Sequence, residues 1–268
     1  MNVAISDSWI ATELGTVFAR SWRPAGLSSD RGETILLFHD SLGCVELWRD
    51  FPAQLAMATG RSVVAYDRLG FGRSDAHDGR LAFSFIRDEA AHGVPLILKE
   101  LRIDRIIPFG HSVGGAMAVA TAAQHPERCV VVITESAQSF VEDRTLAGVR
   151  AGQAEFQRPD RFERLVRYHG AKARWVLDSW TETWLAPEFA GWNLDEDLRG
   201  VTCDTLALHG DQDEYGSVAQ PERIARLTKG RSRAVILEGC GHVPHREDPK
   251  RVLSEVTHFL ARSPGVAM

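Results

Sequence analysis

The sequence predicts an α/β protein with a mostly parallel sheet, helices on both faces and a helical cap. Three observations lead to this fold class. Short apolar runs recur along the chain and alternate with helical stretches. One run, at 106–109, passes directly into a Gly-x-Ser-x-Gly turn and then into small residues typical of a helix. The alternation fails over 136–200, where only helical patterns occur. We therefore predict a core formed by 1–135 and 201–268 and a cap, or lid, formed by 136–200.

The first predicted elements end at residue 66. Partial alternation over 12–22 suggests an antiparallel opening strand or hairpin. A polar link at 28–32 separates it from the continuous apolar run 34–38, which is typical of a buried parallel strand. A helix is predicted over 45–58, and a short strand over 62–66.

The later elements keep the same alternation on both sides of the predicted cap. Before it come an amphipathic stretch at about 85–101, the strand, turn and helix at 104–124, and a strongly strand-like run at 129–134. After it come strands at 205–208 and 233–237, a helix near 218–228 and a closing helix at 249–260. Strands that alternate with helices in this way predict right-handed crossovers in a parallel sheet.

Composition bounds the kinds of partner that we expect. A formal net charge of −5 without a basic stripe argues against binding to nucleic acid. No apolar run approaches the roughly 20 residues that span a bilayer. The first seven residues lack the basic and apolar regions of a secretion signal. We therefore expect a cytoplasmic protein with a small-molecule substrate and no membrane association; the sequence carries no signal for oligomeric state.

Neither a cofactor nor a metal ion is expected. The four cysteines are widely spaced and lack a Cys-x-x-Cys pair, which indicates reduced, mostly buried thiols. The Gly-x-Gly at 70–72 lacks the strand-to-helix context of a phosphate-binding loop, so the 67–74 motif is interpreted as a structural turn. Four carboxylates lack metal-ligand spacing and are expected to be solvated. They are Asp195, Glu196, Asp197 and Glu214.

Ser112 occupies the apex of the Gly-x-Ser-x-Gly turn. Side chains at Gly110 and Gly114 would clash with the neighbouring strand and helix, and the serine backbone is expected to be strained. The predicted turn raises the hydroxyl above the carboxyl ends of the strands and directs a helix N-terminus at it. This arrangement is a nucleophile elbow, and it makes Ser112 the candidate nucleophile.

Partners for this serine follow two later strands. A serine hydroxyl becomes a strong nucleophile only when a base removes its proton and a third group orients the base. Acidic residues follow the strand at 205–208, and histidines follow the strand at 233–237. These residues are Asp211, Asp213, Glu214, His242 and His245. The chain order of serine, acid and histidine is the one that accompanies a nucleophile elbow.

Taken together, the motifs resemble those of a capped α/β-hydrolase, nearly from end to end. They are His39-Asp40-Ser41-Leu42-Gly43, Asp67-Arg68-Leu69-Gly70-Phe71-Gly72-Arg73-Ser74, Gly110-His111-Ser112-Val113-Gly114-Gly115, Gly210-Asp211-Gln212-Asp213 and Gly241-His242. The resemblance implies that Ser112, Asp213 and His242 form a triad. The family usually places its acid three residues after the glycine and its histidine directly after a glycine. Haloalkane dehalogenases and epoxide hydrolases resemble the same fold but need Asp where this chain has Ser112.

Alternatives remain for the acid and the base. Some members of the family move the acid to the end of the strand that finishes here at Glu135. His245 competes with His242 and is otherwise expected to be a surface residue or a substrate contact. His209 precedes the acid loop and is interpreted as a supporting residue, and the side chain of His111 is expected to point away from the serine hydroxyl.

The resemblance also implies an oxyanion hole. Two backbone N–H groups are needed where negative charge develops. By position they belong to Val113, directly after the nucleophile, and Ser41, in the loop after the 34–38 strand. The family usually has His-Gly where this chain has His39-Asp40. Asp40 is therefore expected to adopt a backbone conformation that normally belongs to glycine.

Tryptophans concentrate in the predicted cap, at 175, 180, 184 and 192. They either pack the cap onto the core, or some of them line an apolar substrate pocket. Trp180 and Trp184, together with Leu42 of the core, are the candidate substrate contacts.

These observations predict a serine hydrolase that works through an acyl-enzyme. The expected substrate is a small carboxylic ester, thioester or lactone, and the tryptophans of the predicted cap favour an apolar or aromatic acyl group. Three alternatives use the same fold: hydrolysis of a C–C bond in a β-diketone, slow turnover by a ligand receptor, and cofactor-free oxygenation.

Overall fold

The computed structural model describes residues 3–26 and 32–263, so the predicted polar link at 28–32 lies, except for Gly32, outside the described residues. Eight strands form one sheet in the order β1-β2-β4-β3-β5-β6-β7-β8. Their bounds are Val3–Thr12 (β1), Gly15–Pro24 (β2), Thr34–Phe38 (β3), Val63–Tyr66 (β4), Ile106–His111 (β5), Val131–Glu135 (β6), Asp204–Gly210 (β7) and Ser232–Leu237 (β8).

Eleven α-helices are found among the described residues. They are Phe51–Thr59 (α1), Phe85–Asp88 (α2), Val94–Glu100 (α3), Val113–Gln124 (α4), Asp143–Glu155 (α5), Pro159–His169 (α6), Ala173–Trp184 (α7), Asp195–Gly200 (α8), Ala219–Leu227 (α9), Pro244–Glu247 (α10) and Pro249–Leu260 (α11). None of the helices described is both long and apolar enough to cross a bilayer.

The predicted fold class is confirmed by the strand pairing. From β4 through β3 and β5 to β8, every neighbouring pair is parallel. The carboxyl ends of these strands therefore lie along one edge of the sheet, where the loops that follow them meet.

Apolar side chains of the central strands alternate between two cores. Leu36 and Phe38 of β3 belong to one cluster, whereas Ile35 and Leu37 belong to the other. Side chains of a strand point alternately to the two faces of a sheet, so each core lies on one face. This arrangement explains why the run from 34 to 38 is apolar at every position after the first.

The opening hairpin is longer than the sequence indicates. β1 and β2 pair antiparallel over ten residues each, whereas the prediction placed a strand or hairpin only at 12–22. β1 was missed because most of its side chains are exposed and its apolar pattern is weak. Backbone pairing with β2, rather than burial, holds this edge strand in place.

Two predicted helices are interrupted. The 45–58 helix consists of a 3₁₀ turn, Val45–Trp48, followed by α1, and Arg49 with φ 52° breaks the backbone between them. The 85–101 helix contains a π turn at Glu89–Gly93. A Cβ at Gly93 would lie 2.2 Å from the Glu89 carboxylate, so a side chain at this position would require the Glu89 side chain to shift.

The 136–200 segment lies between β6 and β7 and contains α5 to α8. Within this fully described segment, pairing between backbone strands is limited to one bridge between Phe140 and Asn193. The expectation of solvated carboxylates was wrong for Asp197, which is buried and accepts a hydrogen bond from Arg87 Nη2 at 2.9 Å. Packing of α8 against α4 buries this carboxylate, and the guanidinium compensates its charge.

Candidate active site

Ser112 lies at the turn from β5 into α4, with φ 56° in the left-handed region. The turn requires its glycines, because a Cβ at Gly110 would lie 1.9 Å from the Gly114 carbonyl oxygen. A Cβ at Gly114 would lie 2.1 Å from the Phe38 carbonyl oxygen of β3. The strained serine and the close approach of strand and helix have the geometry expected of a nucleophile elbow.

Buried Asp213 and partly buried His242 form a pair above the same edge of the sheet. His242 Nδ1 lies 2.9 Å from both carboxylate oxygens of Asp213. The carboxylate also accepts the N–H of Tyr215 at 2.8 Å, which fixes its orientation. Burial alone would raise the pKa of Asp213, but His242 and His209 outweigh it and lower the pKa. Asp213 is therefore an anion that holds the Nδ1–H tautomer of His242 and leaves Nε2 as an acceptor.

The Ser112 hydroxyl contacts Gln138, a residue that sequence reasoning missed. Its Oγ donates to Gln138 Oε1 at 3.3 Å, and the Gln138 side chain is buried in the wall of the cavity. Gln138 follows β6 by three residues. Its position after the carboxyl end of a parallel strand is a signal in the sequence, but a single glutamine there matches no catalytic motif.

Ser112 and His242 both line one cavity of about 270 Å³. The predicted substrate contacts Leu42, Trp180 and Trp184 also line it. The remaining lining residues include Ser41, Leu47, Gln138, Thr145, Val149, Tyr215 and Arg246. Trp175 instead packs against Phe71 and His77, away from this cavity. The tryptophans of the 136–200 segment thus divide between lining the cavity and packing.

The predicted oxyanion donors belong to the start of α4 and to the loop after β3. Val113 is the first residue of α4, where backbone N–H groups have no partner within the helix. Ser41 belongs to the loop that follows β3 and lines the cavity.

The expected backbone of Asp40 was wrong. The non-glycine residues with positive φ in the described ranges are Arg49, Arg102, Ser112 and Ser136. Asp40 instead uses its side chain, since Oδ1 accepts the N–H of Leu42 at 2.8 Å and stabilises the turn. At this position, where the family usually has glycine, the side-chain hydrogen bond of Asp40 stabilises the turn.

Glu135 and His245 pair with each other rather than with the reaction centre. His245 Nδ1 lies 2.5 Å from Glu135 Oε2, and both side chains are buried. His245 is therefore neither a surface residue nor a lining residue of the cavity. The carboxylate that contacts His242 is Asp213, and Glu135 orients a second histidine beneath the site.

The other two histidines support the loops. His209 Nε2 lies 3.0 Å from the Gly216 carbonyl and 3.5 Å from Asp213 Oδ2, consistent with the supporting role expected of it. His111 makes no hydrogen bond to the Ser112 hydroxyl; its Nε2 donates to the His242 carbonyl oxygen at 2.7 Å.

One group of buried residues has the composition of a metal site: His111, Glu135 and His245, whose ligand atoms lie within 4.8 Å of one another. Its geometry fits hydrogen bonding better. Two ligands of one tetrahedral zinc ion lie about 3.3 Å apart, given bonds of about 2.0–2.1 Å. The 2.5 Å contact between Glu135 and His245 is shorter than that, and it is the distance of a strong hydrogen bond.

Comparison with known proteins places this geometry in a family. Residues 35–255 match the model of the alpha/beta hydrolase family. The chain is 26% identical to 2-hydroxymuconate semialdehyde hydrolase of Pseudomonas sp. strain CF600, over 90% of this chain and 91% of that protein. It is 25% identical to proline iminopeptidase of Saccharolobus solfataricus, over 75% of this chain and 76% of that protein.

A solved structure agrees on the fold. The crystal structure of a membrane phospholipase A, a bacterial virulence factor, superposes with a TM-score of 0.76 at 22% identity. The match covers 96% of this chain and 86% of that chain. With the family match extending over most of the chain and with hydrolases as its relatives, this protein belongs to the alpha/beta hydrolase family and is a hydrolase.

Proposed function

We propose that the protein is a serine hydrolase that forms an acyl-enzyme on Ser112, with His242 as base and Asp213 as its orienting acid. One observation carries this proposal. The strained serine and His242 line the same cavity, and Asp213 contacts His242 from behind it, although the three residues lie on separate loops. A constellation of nucleophile, base and orienting carboxylate is the signature of nucleophilic catalysis.

The proposed reaction begins with a rotation of the Ser112 hydroxyl from Gln138 toward His242. His242 Nε2 takes the proton as Oγ attacks the carbonyl carbon, and the carbonyl oxygen becomes an oxyanion. The imidazolium then gives the proton to the leaving alcohol. Water repeats the sequence on the acyl group and restores the serine. Asp213 stays ionised throughout and stabilises the imidazolium.

Two backbone N–H groups, those of Ser41 and Val113, are proposed to hold the oxyanion. Val113 adds the positive end of the α4 dipole, which favours negative charge close to the N-terminus of a helix. Loss of one such donor costs on the order of 3 kcal/mol of transition-state stabilisation.

The cavity supports a small, apolar acyl group. Its volume of about 270 Å³ suits a small ligand, and its walls include Leu42, Val149, Trp180 and Trp184. We propose a carboxylic ester, thioester or lactone with an aliphatic or aromatic acyl group. In this scheme the 136–200 segment acts as the cap that supplies the tryptophans.

Similarity to 2-hydroxymuconate semialdehyde hydrolase favours a second candidate, hydrolysis of a C–C bond in a β-diketone. That relative matches the chain over nine-tenths of its length. The same serine, histidine and oxyanion donors would serve either bond. Parallel assays with aryl esters and β-diketones decide between the two candidates by their kcat/KM.

The test of the nucleophile uses two serine variants. Ser112→Ala should lower kcat for p-nitrophenyl acetate by about 10⁶-fold, as removal of a triad serine does elsewhere. It should also abolish covalent labelling by a fluorophosphonate.

Ser136→Ala is the matched control for this variant. Ser136 is also a buried serine with positive φ, and its hydroxyl has no hydrogen-bond partner among the described residues. It should keep both activity and labelling. Labelling of Ser112 with negligible turnover would indicate a receptor instead, and oxygen uptake with an aromatic substrate would indicate an oxygenase.

A further inference from the structure

Three loops of the site meet where Asp40 faces His111; the His111 side chain is buried, and the Asp40 side chain is 26% exposed. Asp40 Oδ2 lies 3.4 Å from His111 Nδ1, and both side chains also contact backbone. On one side, Asp40 Oδ1 accepts the N–H of Leu42 at 2.8 Å. On the other, His111 Nε2 lies 2.7 Å from the carbonyl oxygen of His242. The pair therefore joins the 39–43 loop, the end of β5 and the loop that holds His242.

Neighbouring residues leave room for the Asp40 carboxylate and hold the Asp40 backbone in place. A Cβ at Gly43 would lie 2.9 Å from Asp40 Oδ2, so Gly43 leaves the space that the carboxylate occupies. Arg68 Nη2 donates to the Asp40 carbonyl oxygen at 2.9 Å and holds the backbone from the opposite side. Asp40 stands where the family usually has glycine, so the pair is a feature of this chain's own residues.

The partners of His111 define its protonation. A carbonyl oxygen can only accept, so Nε2 must carry a hydrogen to contact His242. An ionised carboxylate also only accepts, so Nδ1 must carry a hydrogen to face Asp40 favourably. Both contacts are satisfied together only by the imidazolium. In neutral His111 the Nδ1 lone pair would face the carboxylate, and the contact with Asp40 would become repulsive.

The charges around the pair favour this state. Burial alone would lower the pKa of His111, but Asp40 and Glu135, together with the His242 carbonyl, raise it. Burial would raise the pKa of Asp40, but the hydrogen bond and charge of His111 hold it far below its usual range. The titratable and charged groups that face the pair are His39, Cys44 and Arg68 beside the 39–43 loop, Glu135 at the end of β6, His169 of α6, Tyr215 after β7, and His242, His245 and Arg246 after β8.

We propose that Asp40 and doubly protonated His111 are a positioning pair that holds the oxyanion loop and the His242 loop in their catalytic arrangement, and that its deprotonation switches the enzyme off at alkaline pH. This inference rests on the proposed function of Ser112 and His242. Asp40 and His111 also line the cavity, but their hydrogen bonds go to the backbone of the two loops, so we assign the pair a positioning role.

The direction of the pH effect follows from the contacts. A histidine whose pKa is raised in the folded protein stabilises the folded arrangement below its ordinary value of about 6.5 and loses that contribution as the pH rises through the raised pKa. His242 must be neutral to act as base, so activity rises with pH on the acidic side. The profile of kcat/KM against pH should be bell-shaped, with the alkaline limb set by His111.

Asp40→Asn is the decisive variant. The Asn side chain keeps an oxygen for the Leu42 N–H and gains an amide that donates to Nδ1 of neutral His111. The alkaline limb should disappear while the acidic limb stays, with kcat at neutral pH lowered by at most about 10²-fold, the cost of a small misplacement.

His111→Gln should also lack the alkaline limb. His125→Gln is the control, since His125 Nε2 likewise contacts a backbone carbonyl, that of Ala90, remote from the site; both limbs should remain.

The protonation state is read independently by NMR. The imidazole carbon-bound proton of His111, assigned by its loss in His111→Gln, should titrate above pH 6.5 in the wild type and at lower pH in Asp40→Asn. An unchanged alkaline limb in Asp40→Asn, or titration of His111 below pH 6.5 in the wild type, would overturn the proposal. The proposal would also be overturned if the protein bound a zinc ion whose removal abolished the alkaline limb. Absence of any ester turnover by the wild type would count against the proposed function. The NMR titration would still show whether His111 is doubly protonated beside Asp40.

Discussion

At the scale of single residues, the main finding is that two acid–histidine pairs lie in different places, one at the cavity and one beneath it. Asp213 contacts His242 in the wall of the cavity, whereas Glu135 contacts His245 beneath it. The resemblance to the family indicated Asp213 and kept Glu135 as an alternative. It could not assign a partner to each carboxylate, because the pairing depends on how the loops after β6, β7 and β8 pack against one another.

We expect substitutions of the two acids to differ in their effect on kcat. Asp213→Asn should lower kcat by about 10⁴-fold, because an amide favours the wrong tautomer of His242. Glu135→Gln keeps the shape of the other pair and should stay within about tenfold of wild type, a cost near 1.4 kcal/mol. Steady-state kinetics with one ester compares the two variants. A larger loss in Glu135→Gln would reverse the assignment.

The contact of Gln138 with Ser112 could not be predicted from the sequence. The proposed triad residues could be predicted because the chemistry proposed for them demands a few residue types in the loops after particular strands. A glutamine is compatible with many roles, and its contact with the Ser112 hydroxyl appears only when the loop after β6 is folded.

At the scale of elements, the buried strands were predicted well and the exposed ones poorly. The bounds of β3 match the prediction because four consecutive apolar residues after Thr34 are typical of a buried strand. β1 and the breaks in the 45–58 and 85–101 helices were missed, since edge pairing and backbone irregularities leave little trace in an apolar pattern.

The elbow depends on close packing between elements, which gives a stability prediction. Gly114→Ala would place a methyl group against the Phe38 carbonyl, so it should lower the free energy of unfolding by about 1–3 kcal/mol. Gly191→Ala adds a methyl group where nothing lies within 4 Å and should change stability by less than about 0.5 kcal/mol. Urea unfolding measures both variants. Equal stabilities would contradict the packing described for β3 and α4.

Helix α7 should set the preference for acyl groups. Trp184 lines the cavity, so Trp184→Ala should raise KM for aromatic acyl esters more than for acetate. Trp175→Ala, in the same helix but outside the cavity, should leave the ratio of the two KM values unchanged. A parallel change in both variants would place the acyl group elsewhere.

At the scale of the whole molecule, buried carboxylates link folding to acid pH. Burial alone would raise the pKa values of Asp40, Glu135 and Asp213, but their histidine partners outweigh it and lower all three. Carboxyls with lowered pKa values stabilise the folded state above their ordinary value of about 4, and this contribution is lost as the pH falls through the folded values.

The free energy of unfolding should therefore decrease as the pH is lowered from about 5 to 3, since the unfolded chain takes up protons first. Urea titrations at several pH values measure this slope. Asp213→Asn should flatten it. A stability that stays constant over this range would show that the three carboxylates are not held as anions by their histidines.

The central claim is that Ser112 becomes covalently acylated during turnover. Rapid mixing with a p-nitrophenyl ester, acid quenching and peptide mass analysis measure this directly. We predict a burst of about one nitrophenol per active site, with the acyl mass on the peptide that contains Ser112. Continued turnover with no burst and no acyl group on that peptide would contradict the account.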